Sequence, residues 1–351
     1  GALAGPDPWV RKTAAGAPVI EDLQLDEILF RSPEITTYSA SSGKTEERTL
    51  VRLLDPAVAR TNADRKADFE REARLQDECS HPNLLKGIGR GVSRGAPYQI
   101  TEHVDGSPLA KLLEHHVIFD LGRQMRIALQ VGVALAYLHE KGLAHTHLHP
   151  DHVWLHSDGR VKVAGLEHAA AFDPGNAPEW VAEGFRRFTA REAAVAEFRT
   201  YGLLLFHLAT SDASVWKTAK AGKLVPYVLE GLRVADDQHH NAPLVLRSII
   251  GRLVSEDPLQ YFPHIAPIMK RLQLVHRPLK ILVKEAVSFL VAFESKARLR
   301  REVARYFPEL VGKRSAEKDT SVAVREDAPA EKPPAAAPAA AEKAESNGVA
   351  G

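Results

Sequence analysis

Cysteine is nearly absent. Cys79 is the only one in 351 residues, so no disulfide can form within this stretch of chain, and a reducing compartment fits. Long apolar runs are missing too. The most apolar piece, Gly202 to Ala209 (GLLLFHLA), falls far short of the roughly 18 residues that cross a bilayer. Residues 1–20 lack the apolar core of a secretion signal. Nor is there an excess of charge of either sign, since 46 Lys+Arg face 45 Asp+Glu. A surface built for nucleic acid needs a net basic field, so nucleic acid is not expected as a partner. Together these absences predict a cytoplasmic protein without a membrane span.

What is present is a hydrophobic content of 44%, enough to bury a sizeable core. Residues 1–20, rich in Gly, Ala and Pro, read as an extended arm. Leu23 to Leu54 is strand-like, broken by turn signals such as Ser42-Gly43-Lys44. Ala63 to Cys79 reads as a helix with Phe69, Ala73 and Leu75 on one face. Two strand candidates follow, around Leu84 to Gly89 and Tyr98 to His103. Asp120 to Lys141 is a helix, because Ile127, Val131, Ala134, Leu135 and Leu138 form one apolar stripe. The Asp158-Gly159 pair between Val153–His156 and Arg160–Val163 signals a hairpin. After Ala190 the pattern is helical to about Tyr306. Residues 313–351, with the run PPAAAPAAAEKAE, hold almost no large apolar side chains and are expected to be disordered.

Several short pieces recur in a telling order. Phe69-Glu70-Arg71-Glu72-Ala73 precedes His81-Pro82-Asn83, and Leu85 to Gly106 (LKGIGRGVSRGAPYQITEHVDG) follows. Tyr137-Leu138-His139 leads to Gly142-Leu143-Ala144-His145, then come Gly202-Leu203-Leu204-Leu205 with Leu208-Ala209-Thr210, and Asp257-Pro258. Over residues 23–275 this succession resembles protein kinases, in particular bacterial-type Ser/Thr kinase domains. The resemblance implies an α+β, two-lobed protein-kinase-like fold. Its parts would be an N-terminal arm (1–20), a β-rich small lobe with one helix (21–104), a helical large lobe (105–276), a C-terminal helical extension (277–312) and the tail (313–351).

Kinase chemistry is mostly positioning and charge neutralisation of a triphosphate, so each position can be asked what it holds. In Leu29 to Tyr38, by resemblance, Phe30, Ser32 and Ile35 replace the three loop glycines; Pro33 removes an N–H donor, and Glu34 would bring negative charge near phosphates. The phosphate-binding lysine aligns with Arg52, which keeps the charge on a bulkier fork, and Glu72 aligns with its partner carboxylate. Where the family has His-Arg-Asp-Leu-Lys-Pro-x-Asn, the chain reads His145-Thr146-His147-Leu148-His149-Pro150-Asp151-His152. His147 thus stands for the general base, His149 for the lysine and His152 for the metal-binding asparagine. Gly165 stands for the metal-binding aspartate, and Glu167, two residues on, need not reach the same place. Glu197 aligns with the aspartate of the buried large-lobe helix. The Ala-Pro-Glu element is matched by letter at Ala177-Pro178-Glu179 and by spacing at Val181-Ala182-Glu183. No buried-arginine partner is evident near Asp257.

These replacements together predict a pseudokinase, not an enzyme and without a cofactor, that works as a protein-binding scaffold, allosteric regulator or subunit of a larger assembly. The alternative is an atypical nucleotide-binding protein or Ser/Thr phosphotransferase with a non-standard active site, its residual pocket formed by Arg52, Glu72, Thr101, Glu102 and Val104. The histidine cluster also admits a metal site at His147, His149 and His152, since imidazoles suit zinc. A hydrolase barrel, which would set such a motif on an early strand, fits poorly after a long helix. Residues 278–306 combine an apolar surface (Ile281, Val283, Val287, Leu290, Val291, Phe293) with a basic stretch, SKARLRREVAR. They read either as a helix pair docking a protein partner or as a segment folded back on the large lobe; membrane contact is not expected.

Overall fold

The computed structural model describes residues 12–13, 20, 23–42, 45–171, 189–218, 221–239 and 242–311. Strand-forming runs build an antiparallel sheet from β1 (Lys12–Thr13), β2 (Leu23–Arg31), β3 (Ile35–Ser42) and β4 (Thr45–Leu54). It is completed by β5 (Gly87–Ser93) and β6 (Ala96–Glu102), in the order β1-β2-β3-β4-β6-β5. Part of the expected arm is thus strand, and Ile20 is buried beside it. Gly43 and Lys44 of the expected turn lie outside the described residues, as does the tail 313–351.

After the short helix α1 (Pro56–Thr61), α2 (Ala63–Glu78) starts where the Asn62 side chain accepts the Arg65 N–H. It buries Phe69, Glu72, Ala73, Leu75 and Gln76 against the sheet side of the molecule. Buried Cys79 caps its C-terminus. The first of the two later strands begins at Gly87, past the Leu84 expected from sequence. Arg94 and Gly95 both have positive φ (51° and 81°), the geometry of a two-residue hairpin turn, and that turn sets the register. Leu84 and Leu85 pack elsewhere: the Leu85 N–H donates to Val163 O at 2.8 Å.

Beyond this, β7 (Gly106–Pro108) leads into α3 (Leu109–Glu114) and α4 (Leu121–Glu140). The predicted stripe of α4 is buried along its whole length, and Asp120 caps the helix by accepting the Arg123 N–H at 2.9 Å. After β8 (Leu143–Ala144) comes the hairpin β9 (Val153–His156) and β10 (Val161–Val163), with β7 pairing on β9. β11 (Ala170–Ala171) pairs with β8. Helix α5 (Ala190–Thr210) opens with a reciprocal cap between Thr189 and Glu192, and its Tyr201 hydroxyl donates to Ala128 O at 2.7 Å inside the core.

Helices α6 (Ala221–His239), α7 (Leu244–Leu253) and α8 (Ile265–Gln273) complete the large core. Helices α9 (Lys280–Leu290), α10 (Lys296–Tyr306) and α11 (Pro308–Val311) follow. Val283, Leu290, Leu299 and Val303 join that core, and the fully buried Arg247 of α7 pairs with Glu302 and, at 3.9 Å, Glu294. One face of the extension therefore folds back. Leu279 and Ile281 stay 57% and 67% exposed. Among the described residues no helix is long and apolar enough to cross a membrane.

Candidate functional site

Strand β4 sets Arg52 opposite Gln99 of β6, and helix α2 brings Glu72 beneath it. Arg52 Nη1 donates to Glu72 Oε1 at 2.5 Å and to Gln99 Oε1 at 3.2 Å. The guanidinium lies 5.8 Å from the Phe69 ring centroid. Its other nitrogen, Nη2, stands 3.8 Å from Glu167 Oε2, with Arg52 and Glu167 side chains 21% and 18% exposed. Glu72 is fully buried and its second oxygen has no hydrogen-bond partner. Burial pushes its carboxyl up, to about 7, Arg52 works against this, and Glu167 adds to it.

Glu167, which need not reach the place of the aligned aspartate, comes to lie beside Arg52. The reason is local: Gly165 has φ +81° and ψ 46° and turns the chain into a 3₁₀ segment, Leu166–His168, that presents Glu167. A Cβ on Gly165 would lie 2.6 Å from the His152 ring. The position expected to carry a carboxylate is thus a turn residue, and the carboxylate arrives two residues later.

The segment aligned with the glycine loop is a tight turn between β2 and β3. Phe30 pairs with Thr37, the Ser32 Oγ accepts the Ile35 N–H at 3.0 Å, and Ile35 packs into the small-lobe core. Glu34 does not offer a free charge to the cleft, because Arg65 Nε donates to it at 2.8 Å. At the other edge, Thr101 is buried, and Glu102 is held by Lys162 Nζ at 2.7 Å and by the Lys86 N–H at 2.8 Å. Val104 clusters with Leu85 and Ala164. Of the expected pocket, Arg52 and Glu72 meet directly, whereas Glu102 is committed to Lys162.

The histidine-rich loop hangs from α5. Glu197, fully buried, accepts the His145 N–H at 2.6 Å through one oxygen and contacts His139 Nε2 at 2.5 Å through the other. His145 Nε2 donates to Ala164 O at 2.8 Å, which leaves Nδ1 unprotonated and without a hydrogen-bond partner. Thr146 carries the turn at φ 56° and donates to His168 O at 2.5 Å. His152 Nδ1 donates to His147 O at 2.9 Å. His149 pairs with Asp151 at 2.8 Å and lies 4.5 Å from Trp216, whose Nε1–H donates to His207 at 3.1 Å. Exposed His147 meets the edge of His168 at 4.9 Å.

Burial holds His145 and His152 down, each to about 4. Burial, then His168 and His149, lower His147 as well. All three rings are therefore neutral at pH 7. The metal site considered at His147, His149 and His152 is not assembled. The His147 and His149 rings lie 5.8 and 6.4 Å, centroid to centroid, from that of His152, and among the described residues no three His, Cys, Asp or Glu side chains group to hold a metal.

Sequence reasoning missed Gln99, His139, His168, His207 and Trp216, which meet the site only through the fold. Near Asp257, where no buried arginine was evident from sequence, the carboxylate pairs with the exposed Arg191 at 2.6 Å. Both candidate Ala-Pro-Glu matches lie outside the described residues.

Comparison with known proteins bears on this geometry. The pattern of the family described as protein tyrosine and serine/threonine kinase matches residues 34–260. Serine/threonine-protein kinase PksC of Streptomyces coelicolor is 22% identical over 258 residues, 68% of this chain and 46% of its own length. CBL-interacting protein kinase 4 of Oryza sativa subsp. japonica is 26% identical over 219 residues, 57% of this chain and 48% of its own. Dual specificity testis-specific protein kinase 2 of Rattus norvegicus is 31% identical over 88 residues, 25% of this chain and 15% of its own. The chain thus spans less than half the length of each of these relatives. These matches overturn the expectation that the chain is no enzyme. They point toward a phosphotransferase, and nothing among the described residues shows activity to be lost. With its α+β architecture and a family pattern running from Glu34 to Gln260, the chain belongs to the protein tyrosine and serine/threonine kinase family.

Proposed function

We propose that the chain binds a nucleotide polyphosphate at Arg52 and transfers the terminal phosphoryl group to a serine or threonine hydroxyl, using a non-standard active site. One observation carries the reading: Arg52 is anchored by Glu72 and Gln99 yet keeps a partly exposed edge. An oriented guanidinium suits phosphate oxygens, which it can meet with two parallel hydrogen bonds. Family membership and the Ser/Thr kinase relatives support the reaction class. The donor set does not fit a divalent-metal centre, so no step is assigned to a metal.

In the transfer, the substrate oxygen bonds to the terminal phosphorus, the bond to the bridging oxygen breaks, and a nucleoside diphosphate leaves. Arg52 offsets phosphate charge. The hydroxyl proton passes to His147, whose exposed ring is neutral at pH 7 and able to accept it. With one arginine in place of dedicated metal ligands, turnover is expected below the range of about 1–100 s⁻¹ typical of kinases.

The test joins binding to transfer. ATP at about 100 times its dissociation constant adds roughly 2.7 kcal/mol to stability, a visible rise in melting midpoint for the wild type and none for Arg52→Ala. Labelled phosphate should pass to a serine or threonine peptide. His147→Ala should keep the ATP shift and lose transfer by about 10²–10⁴-fold, the usual contribution of a general base. A wild-type chain that does not respond to ATP would sink the reading.

A further inference from the structure

The edge of Arg52 left for phosphate is not vacant. Nη1 is taken by Glu72 and Gln99, and Nη2 is the nitrogen that Glu167 faces at 3.8 Å. Two carboxylates thus share one guanidinium, and one of them, Glu72, is fully buried with an oxygen that no donor satisfies. A polyphosphate arriving at Nη2 meets the Glu167 carboxylate head-on. In a half-closed cleft that like-charge contact is far costlier than in water.

We propose that Glu167 is the gate of this cleft: a polyphosphate takes the outer edge of Arg52 only when a proton removes one of the two negative charges of the Glu72–Glu167 pair, so that binding is coupled to proton uptake. The inference rests on the nucleotide reading above.

The surroundings make the proton available. The groups facing the pair are Arg52 from β4, His168 with Nε2 4.0 Å from Glu167 Oε1, and His152 from the histidine-rich loop; Gln99 of β6 is neutral. Burial and Glu167 raise Glu72 against the pull of Arg52, so the pair keeps a proton into the neutral range. Above that range Glu72 is charged as well and the gate is shut. Below it, one negative charge is gone and Glu167 can yield Nη2 to phosphate.

The experiment is titration calorimetry of the full chain with ATP in EDTA, from pH 6.5 to 9, in buffers of different ionisation enthalpy. The wild type should take up a fraction of a proton per ATP, rising towards one at high pH. Its dissociation constant should rise by up to about tenfold per pH unit at the alkaline end, the limit for one linked proton. Glu167→Gln should bind ATP about tenfold tighter at pH 8, with little pH dependence. Proton uptake in the wild type is read without any variant, so a poorly folded substitution does not decide the matter. Binding by the wild type without proton uptake, or binding by Glu167→Gln that is no tighter at pH 8, overturns the gate and leaves the nucleotide reading standing. No ATP binding by either protein at any pH overturns both.

Discussion

At the scale of single residues, two positions carry the cleft's geometry. Gly165 combines a left-handed backbone with a ring packed where its Cβ would be. Gly165→Ala should therefore cost about 1–3 kcal/mol, read from chemical denaturation, and should displace Glu167 from Arg52. Glu197 holds the histidine-rich loop through one hydrogen bond to backbone and one contact to His139. Sequence alignment supplied Glu197, Arg52 and Glu72 as positions, because ion-pair residues leave a readable letter. It could not supply Glu167 as a cleft residue, since its reach depends on one φ angle two residues earlier.

The same residues fix a pH response. Burial holds His145, His152 and His207 at about 4, with neighbouring histidines adding to the effect. Their ordinary value is about 6.5, so the unfolded chain takes up these protons first as pH falls. Their contribution to stability is full above about 6.5 and is lost as pH falls towards 4. Glu72, raised to about 7, acts oppositely: its contribution is lost as pH rises from its ordinary value towards 7. With three histidines against one glutamate, the histidines set the sign. Urea midpoints should fall between pH 7 and 4.5, and His152→Gln should flatten that fall. A midpoint that rises on acidification would mean the rings are not buried as described.

At the scale of elements, periodic segments were the most legible. The stripe of α4 and the β9–β10 hairpin follow from spacing and from one Asp-Gly pair. The start of β5 did not, because the apolar Leu84 and Leu85 look like strand but serve packing outside the sheet. Helix α5 illustrates how a terminus is fixed. Thr189 accepts the Glu192 N–H while Glu192 accepts the Thr189 N–H. Thr189→Ala should cost about 1 kcal/mol, seen as a lower denaturation midpoint.

At the scale of the whole molecule, the extension is part of the core. Arg247 lies fully buried between α7 and the helices of the extension, with Glu302 and Glu294 as partners. Removing one member of a buried ionic group strands the others, so Arg247→Ala should cost about 3–5 kcal/mol. A triple change of Arg247, Glu294 and Glu302 to apolar residues should cost much less. Truncation before residue 277 strands the arginine instead, and the shortened chain should melt earlier than the full one.

The lone thiol gives the molecule a clock of its own. Cys79 closes α2, the helix that carries Glu72, and it is buried, with its thiol pushed up by burial and by Glu78 to about 11. In the closed protein it is neither accessible nor ionised, and the thiolate is the reactive form. A thiol reagent therefore reacts only when the end of α2 opens. With no other cysteine to compete, the labelling rate times the loosening of the helix that anchors Arg52, and a nucleotide that tightens the cleft should slow that clock in proportion to its occupancy.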